Sequence, residues 1–164
     1  MKKIGLLSDT HSHLDEKIMN FFKDCDEIWH AGDIGSIEVA DKISNLKSFK
    51  AVYGNIDGQE LRISFPKVQS FLCENVKVLM THIGGYPGKY EKVVRDLIQN
   101  LKPNLFISGH SHILKVIYDH KFDLIHVNPG AAGKSGLHKH QTAVRFIIEG
   151  KTIKDLEVFE KTRS

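Results

Sequence analysis

Two histidines two residues apart close the stretch Ser108-Gly109-His110-Ser111-His112, which follows directly on the apolar run Leu105-Phe106-Ile107. A strand that stops in this way holds two imidazoles at its exposed end, and neutral imidazole is the commonest metal-binding side chain. Taken alone, the pair reads as two surface histidines in a loop. Four earlier apolar runs change that reading, because each also stops in Asp, His or Asn. Leu6-Leu7 leads into Ser8-Asp9-Thr10-His11, Trp29-His30 into Ala31-Gly32-Asp33, Val52-Tyr53 into Gly54-Asn55, and Leu79-Met80 into Thr81-His82.

The spacing between these runs predicts the fold. Residues 2–7 read as a buried strand. Leu14, Ile18, Phe21, Phe22 and Cys25 then recur at helical spacing over 14–23, with Ser12 as the expected N-cap. A strand over 27–30 precedes a helix over 36–46, opened by Ser36 and turning Ile37, Ala40, Ile43 and Leu46 inward. A third strand covers 49–53. Strand, helix, strand, helix, strand implies parallel strands joined by right-handed crossovers. In such sheets ligands collect at the carboxyl ends of the strands. Beyond Pro66, residues 68–73 and 76–80 pair as a hairpin around Glu74-Asn75. A helix over 89–101 follows, and strands are expected over 105–107, 114–118, 124–127, 142–148 and 152–159. About ten strands and three helices are too many for one open sheet. The expected fold is α/β: two packed mixed β-sheets, a β-sandwich, flanked by helices, in a single domain spanning 1–164.

At 164 residues the chain is long enough for one full core. No run nears the roughly 20 apolar residues of a membrane span. The opening Met-Lys-Lys-Ile-Gly-Leu-Leu is too short for a signal peptide, and Cys25 and Cys73 show no CxxC spacing. Both thiols are expected in the core of a cytoplasmic protein. A net charge of +3 neither demands nor excludes nucleic acid, and the lack of a basic stripe interleaved with aromatics speaks against such a partner. Oligomeric state is left open. Trp29 is expected in the core, His30, His120 and His126 as structural histidines, and Lys134, His138 and His140 in a solvated loop.

Asp9, His11, Asp33, Asn55, His82, His110 and His112 give two carboxylates, one carboxamide and four imidazoles. A structural zinc site takes four ligands, often cysteines. Seven N/O ligands exceed one site and suit two ions that share a ligand. Asp33 lies midway in the order and follows a glycine, and a carboxylate has two oxygens to offer different ions, so Asp33 is the bridging candidate. Ions roughly 3.5–4 Å apart clamp the attacking and leaving oxygens of a displacement at phosphorus. The mixed donor set suits Mn, placed first, or Fe, Zn, Ni or Co.

In this order, Asp9-Thr10-His11, Gly32-Asp33, Gly54-Asn55, Thr81-His82 and Gly109-His110-Ser111-His112 resemble the calcineurin-like metallophosphoesterase superfamily. The short chain and Gly54-Asn55-Ile56-Asp57 are similar to its small single-domain phosphodiesterase branch, a relative of the retromer small subunit, as is Asn128-Pro129-Gly130. The resemblance implies one metal on Asp9, His11, His112 and Asp33, and a second on Asn55, His82, His110 and the same Asp33. It implies a dinuclear metal-dependent phosphoesterase, a phosphodiesterase before a monoesterase, in which a metal-bound hydroxide attacks a small phosphate ester. A non-catalytic protein-binding scaffold of the retromer-subunit type and a nuclease are the alternatives. One position departs from the pattern: Ile56 stands where many members carry a histidine proposed as general acid. His13 is the substitute proton donor, and Asp57 and Asn128 are expected to support the ligands by hydrogen bonds.

Overall fold

A computed structural model describes residues 1–163. In chain order the first half contains β1 (Lys2–Leu7), α1 (Glu16–Phe21), β2 (Glu27–His30), α2 (Ile37–Ser44), β3 (Ser48–Ala51), α3 (Gln59–Ser64) and β4 (Val68–Cys73). The second half contains β5 (Val76–Thr81), α4 (Lys92–Leu101), β6 (Leu105–Ile107), β7 (Leu114–Asp119), β8 (Leu124–Pro129), β9 (His140–Glu149) and β10 (Thr152–Thr162). The strands form two five-stranded sheets, ordered β10-β9-β1-β2-β3 and β4-β5-β6-β8-β7. Both are mixed: β1, β2 and β3 run parallel, as do β5, β6 and β8, and antiparallel strands complete each sheet.

Successive side chains of a strand point to opposite faces, and β1 shows what each face meets. Ile4 and Leu6 join Trp29, Val78, Met80, Ile107 and Phe146 in the core between the two sheets. Leu7 turns the other way, toward Ile18 and Phe22 of the α1 region and Val39, Ala40 and Ile43 of α2. On the far side, Leu79 and Phe106 pack under Val94 and Ile98 of α4. The result is a four-layer stack, helices outside and two sheets inside. Trp29 is fully buried at its centre, and truncating such a ring to alanine costs about 3–5 kcal/mol.

Among the described residues four helices form rather than three. The six residues of α3 bury only Leu61, so they leave no apolar periodicity to detect. The helix ends also differ from expectation. Asp15, not Ser12, caps α1, its carboxylate accepting from Lys17 N–H at 2.8 Å. Ser12 has a φ of 69° and gives its own N–H to the Ile34 carbonyl. Ser36 precedes α2 without a side-chain cap bond. A turn closed by Lys89 N–H on the Tyr86 carbonyl delays α4 to Lys92. His120 is exposed beyond β7, edge-on to Tyr118, and so is not a packing residue.

His30 and His126 are the buried structural histidines. Gly32 N–H donates to His30 Nδ1 at 3.1 Å, so the ring proton sits on Nε2, 3.0 Å from Thr10 Oγ1, whose hydroxyl donates to the Ile34 carbonyl. Burial pushes both rings down to about 4. An unfolded histidine titrates near 6.5. Since the folded value lies below the unfolded one, the penalty is absent above about pH 6.5 and grows as pH falls toward 4. At about 1.4 kcal/mol per unit, each ring costs roughly 3 kcal/mol by pH 4. His11 and His82, raised by their carboxylates, act in the opposite sense over the same range, so the effect is read by difference. From pH 7 to 4.5 the urea midpoint of the metal-free parent should change less favourably than that of His126→Phe, which keeps a ring against Phe106. An equal change in both would remove His126 from this role.

Candidate metal centre

Because β1, β2 and β3 run parallel, their carboxyl ends share one edge of the first sheet. They deliver Asp9 and His11, Asp33, and Asn55 respectively. In the second sheet β5 delivers His82, and β6 delivers His110 and His112. Main-chain bonds sew these ends together: Asp9 N–H to the Gly32 carbonyl at 2.9 Å, His11 N–H to the Asp33 carbonyl at 3.0 Å, and Gly109 N–H to the His82 carbonyl at 2.9 Å. His110 N–H reaches across the sheets to Asp9 Oδ2 at 3.1 Å.

The backbone is forced at this edge. Of ten non-glycine residues with positive φ among the described residues, five are Asp9, His11, Asp33, His110 and His112, with φ between 45° and 70°. The left-handed conformation is costly for residues with a Cβ and clusters at functional sites. Gly32, with a φ of 101°, permits the close approach expected of it: a Cβ there would lie 2.6 Å from His82 Nδ1. A Cβ on Gly54 would lie 2.1 Å from Asp33 Oδ1.

All seven expected ligand residues meet. Asp9, His11 and His112 form one triad and Asp33, His82 and His110 another, the ligand atoms within each lying within 4.8 Å of one another. Asn55 Oδ1 joins the second triad, 3.1 Å from His110 Nδ1. Asp33 Oδ2 lies 3.4 Å from His11 Nε2 and 3.2 Å from His82 Nε2. One oxygen thus faces both sets, while Oδ1 accepts the Ile56 N–H at 3.0 Å. The two sets meet at a single atom of Asp33 rather than at its two oxygens separately.

The donor set fits divalent cations. His82 Nδ1 is 2.8 Å from the Ala31 carbonyl. A carbonyl only accepts, so Nδ1 carries the proton and a neutral ring turns a lone pair on Nε2 toward Asp33 Oδ2. Asp9 Oδ2 is occupied by Ser8 Oγ at 2.6 Å and His110 N–H. Its Oδ1 is buried without a hydrogen bond, as are His11 Nε2 and His82 Nε2. Buried acceptors aimed at one another need a cation or a proton between them. Burial would raise the Asp9 carboxyl, but His11, His112, His82 and Ser8 together hold it far below the usual carboxylate range. Asp33 is likewise lowered against its burial, mainly by His82. His82 is raised against its burial by Asp33 and Asp9, and His11 is raised first by Asp9.

Asp57 and Asn128 support backbone rather than ligand side chains. The Asp57 carboxylate accepts from the N–H groups of Ile34, Gly35 and Gly54, tying the loop of Asp33 to that of Asn55. Asn128 donates to the Gly109 carbonyl and Ser111 Oγ and accepts from Gly130 N–H, which pins the His110–His112 loop. His13 belongs to neither triad, and its Nε2 is buried without a partner. Sequence reasoning missed His138, placed by its loop 3.2 Å from His112, and the Ile56 main-chain N–H. Neither leaves a local signal, since both depend on long-range chain return.

Two depressions flank the centre. One of about 420 Å³ is bounded by Asn55 and His82, with apolar lining that includes Val94 and Leu97 and charged lining from Arg62, Lys67, Lys92 and Glu91. The other, about 180 Å³, is bounded by His110, Lys115 and Asn128.

A helix-flanked double sheet with paired carboxylate–imidazole triads on its strand ends defines a metallophosphoesterase-type protein. The chain belongs to the calcineurin-like phosphoesterase superfamily, whose domain model matches residues 1–151. It is 31% identical over 133 residues to a probable metallophosphoesterase of Methanothermobacter thermautotrophicus, covering 78% of this chain and 76% of that one. It is 28% identical over 144 residues to a phosphodiesterase of Methanocaldococcus jannaschii, covering 78% and 82%. Among solved structures, Vps29 of Chaetomium thermophilum superposes with a TM-score of 0.77 over 100% of both chains at 16% identity, a likeness of fold. Among the described residues no helix is long and apolar enough to cross a membrane.

Proposed function

We propose that this protein is a dinuclear metal-dependent phosphodiesterase acting on small phosphate esters. The observation that carries the reading is the pair of triads meeting at Asp33 Oδ2. Asp9, His11, His112 and Asp33 would hold one ion, and Asn55, His82, His110 and Asp33 the other. Two bound divalent ions lower the pKa of water to near neutrality and neutralise phosphoryl oxygens. The chain's own contribution is orientation. Ala31 and Asn55 fix the rings of His82 and His110, and Asp57 and Asn128 fix the loops that carry the ligands.

A diester has an organic group on either side of phosphorus, and the depressions beside His82 and His110 offer room on both sides. The larger one suits an apolar or aromatic ester group against Val94 and Leu97. Nucleic acid is not the proposed substrate. With Ile56 in place of a proton donor, the leaving oxygen is proposed to depart without general acid help, and His13, its Nε2 buried without a partner, is the alternative donor. Manganese is the proposed occupant, ahead of iron, zinc, nickel and cobalt, because the carboxylate and carboxamide oxygens of Asp9, Asp33 and Asn55 suit it. The cytoplasm is the proposed compartment. Cys25 and Cys73 are buried free thiols that burial pushes up to about 11, which suits inert groups in reducing surroundings.

Metal content is the direct test. Chain saturated with Mn²⁺ and desalted should retain about two ions and hydrolyse an aryl phosphodiester faster than the matching monoester. Chelation should abolish turnover, and added metal should restore it. Retention near zero, with no metal supporting turnover, would favour the scaffold alternative.

A further inference from the structure

His138 lies 26 residues beyond His112, yet its Nδ1 is 3.2 Å from His112 Nδ1, with the rings edge to face and their centroids 5.0 Å apart. Two ring nitrogens at that separation share one proton. His138 Nε2 is 2.8 Å from the Gly133 carbonyl, which can only accept. That nitrogen therefore carries the proton of a neutral His138, and its Nδ1 is a bare acceptor. The proton between the rings then belongs to His112. His112 is left with a lone pair on Nε2, facing Asp9 Oδ1 at 3.2 Å.

We infer that His138, held by the Gly133 carbonyl, is a positioning residue that sets the tautomer and ring orientation of His112 for a divalent ion shared with Asp9. The inference rests on the metal reading proposed above. The surrounding loop is built to keep this geometry. Ala132 N–H bonds to the Ser8 carbonyl at 2.8 Å and Gly133 N–H to the Asp9 carbonyl at 3.1 Å, so the loop grips the strand end that carries the facing carboxylate. The Arg163 guanidinium donates to the Lys134 carbonyl at 2.9 Å and the Gly136 carbonyl at 2.6 Å. Gly136, with a φ of 125°, passes so close to His112 that a Cβ would lie 2.5 Å from its Nδ1. The loop thus reaches both members of the Asp9–His112 pair from behind.

Partners that orient a ligating histidine are worth about 10–100-fold in metal affinity. Two readouts on the full chain test the role. Long-range ¹H–¹⁵N spectra of the metal-free protein at pH 8 should show His112 as the Nδ1–H tautomer. His138→Ala should shift it toward the Nε2–H form, and His138→Asn, which keeps an acceptor near the place of Nδ1, should restore it. In Mn²⁺ titrations followed by calorimetry, His138→Ala should weaken one of two binding events by about 10–100-fold. His138→Asn should recover most of that loss, and the exposed His140→Ala should lose nothing. An unchanged His112 tautomer in His138→Ala overturns the inference, and so does a changed tautomer with undiminished affinity. A parent chain that keeps the Nδ1–H tautomer yet binds no ion overturns the metal reading, a result distinct from either.

Discussion

Asp33→Asn should lower phosphodiester turnover by about 10³-fold or more while leaving the fold intact. The magnitude follows from the several kcal/mol that metal ions supply, at about 1.4 kcal/mol per tenfold in rate. Asp33 Oδ2 lies within 3.4 Å of both His11 Nε2 and His82 Nε2, closer to each than Asp9 Oδ1, which stands 3.8 Å from both. An asparagine can keep its carbonyl oxygen on the Ile56 N–H, where Oδ1 now accepts at 3.0 Å. Its NH₂ then takes the place of Oδ2 and presents hydrogens to both triads. The variant therefore preserves the local hydrogen bond and removes the shared ligand, which separates a metal role from a structural one. Metal retention should fall at both sites together, and the circular dichroism spectrum should match the parent. Near-normal turnover with two retained ions would take Asp33 out of the bridging role.

The polar residues proposed as metal ligands stand out in the sequence because the strands that carry them are buried. A strand covered on both faces is an unbroken apolar run, so Leu6-Leu7 or Leu105-Phe106-Ile107 stands out, and the polar residues after it stand out equally. Parallel β1, β2 and β3 then place their ends on one edge without further information. The two-sheet stack was likewise legible from strand number. What was not legible depends on contacts that the local pattern does not carry. Ser12 and Asp15 both look like helix caps. The choice falls to Asp15 because Ser12 is drawn into the left-handed backbone beside Ile34. The six residues of α3 hold a single buried leucine and so show no period. His138 reads as part of a solvated Gly- and Lys-containing loop, and only the return from β8 to β9 across the ligand edge brings it to His112. Nothing local in the sequence shows that Asp33 Oδ1 accepts the Ile56 N–H while Oδ2 faces His11 and His82.

Ile56 thus holds the Asp33 carboxylate through its backbone while its side chain, 46% exposed, supplies no proton. The leaving oxygen of an alkyl ester departs poorly without protonation, whereas an acidic phenol departs readily as its anion. General acid catalysis is typically worth about 10²–10⁴-fold, so its absence should appear as a steep dependence of rate on leaving-group pKa. A series of aryl phosphodiesters assayed at one fixed Mn²⁺ concentration should show that steepness. Ile56→His should flatten it, raising rates for the poorest leaving groups most and for the best ones little. The variant keeps the main-chain N–H to Asp33, and at an exposed position the imidazole meets no packing penalty, so both proteins should retain equal metal. A shallow dependence in the parent would mean that a proton donor already serves. His13, with its unpartnered Nε2, is then the residue to remove: if it is the donor, His13→Ala should restore the steepness, and Ile56→His in that background should abolish it again.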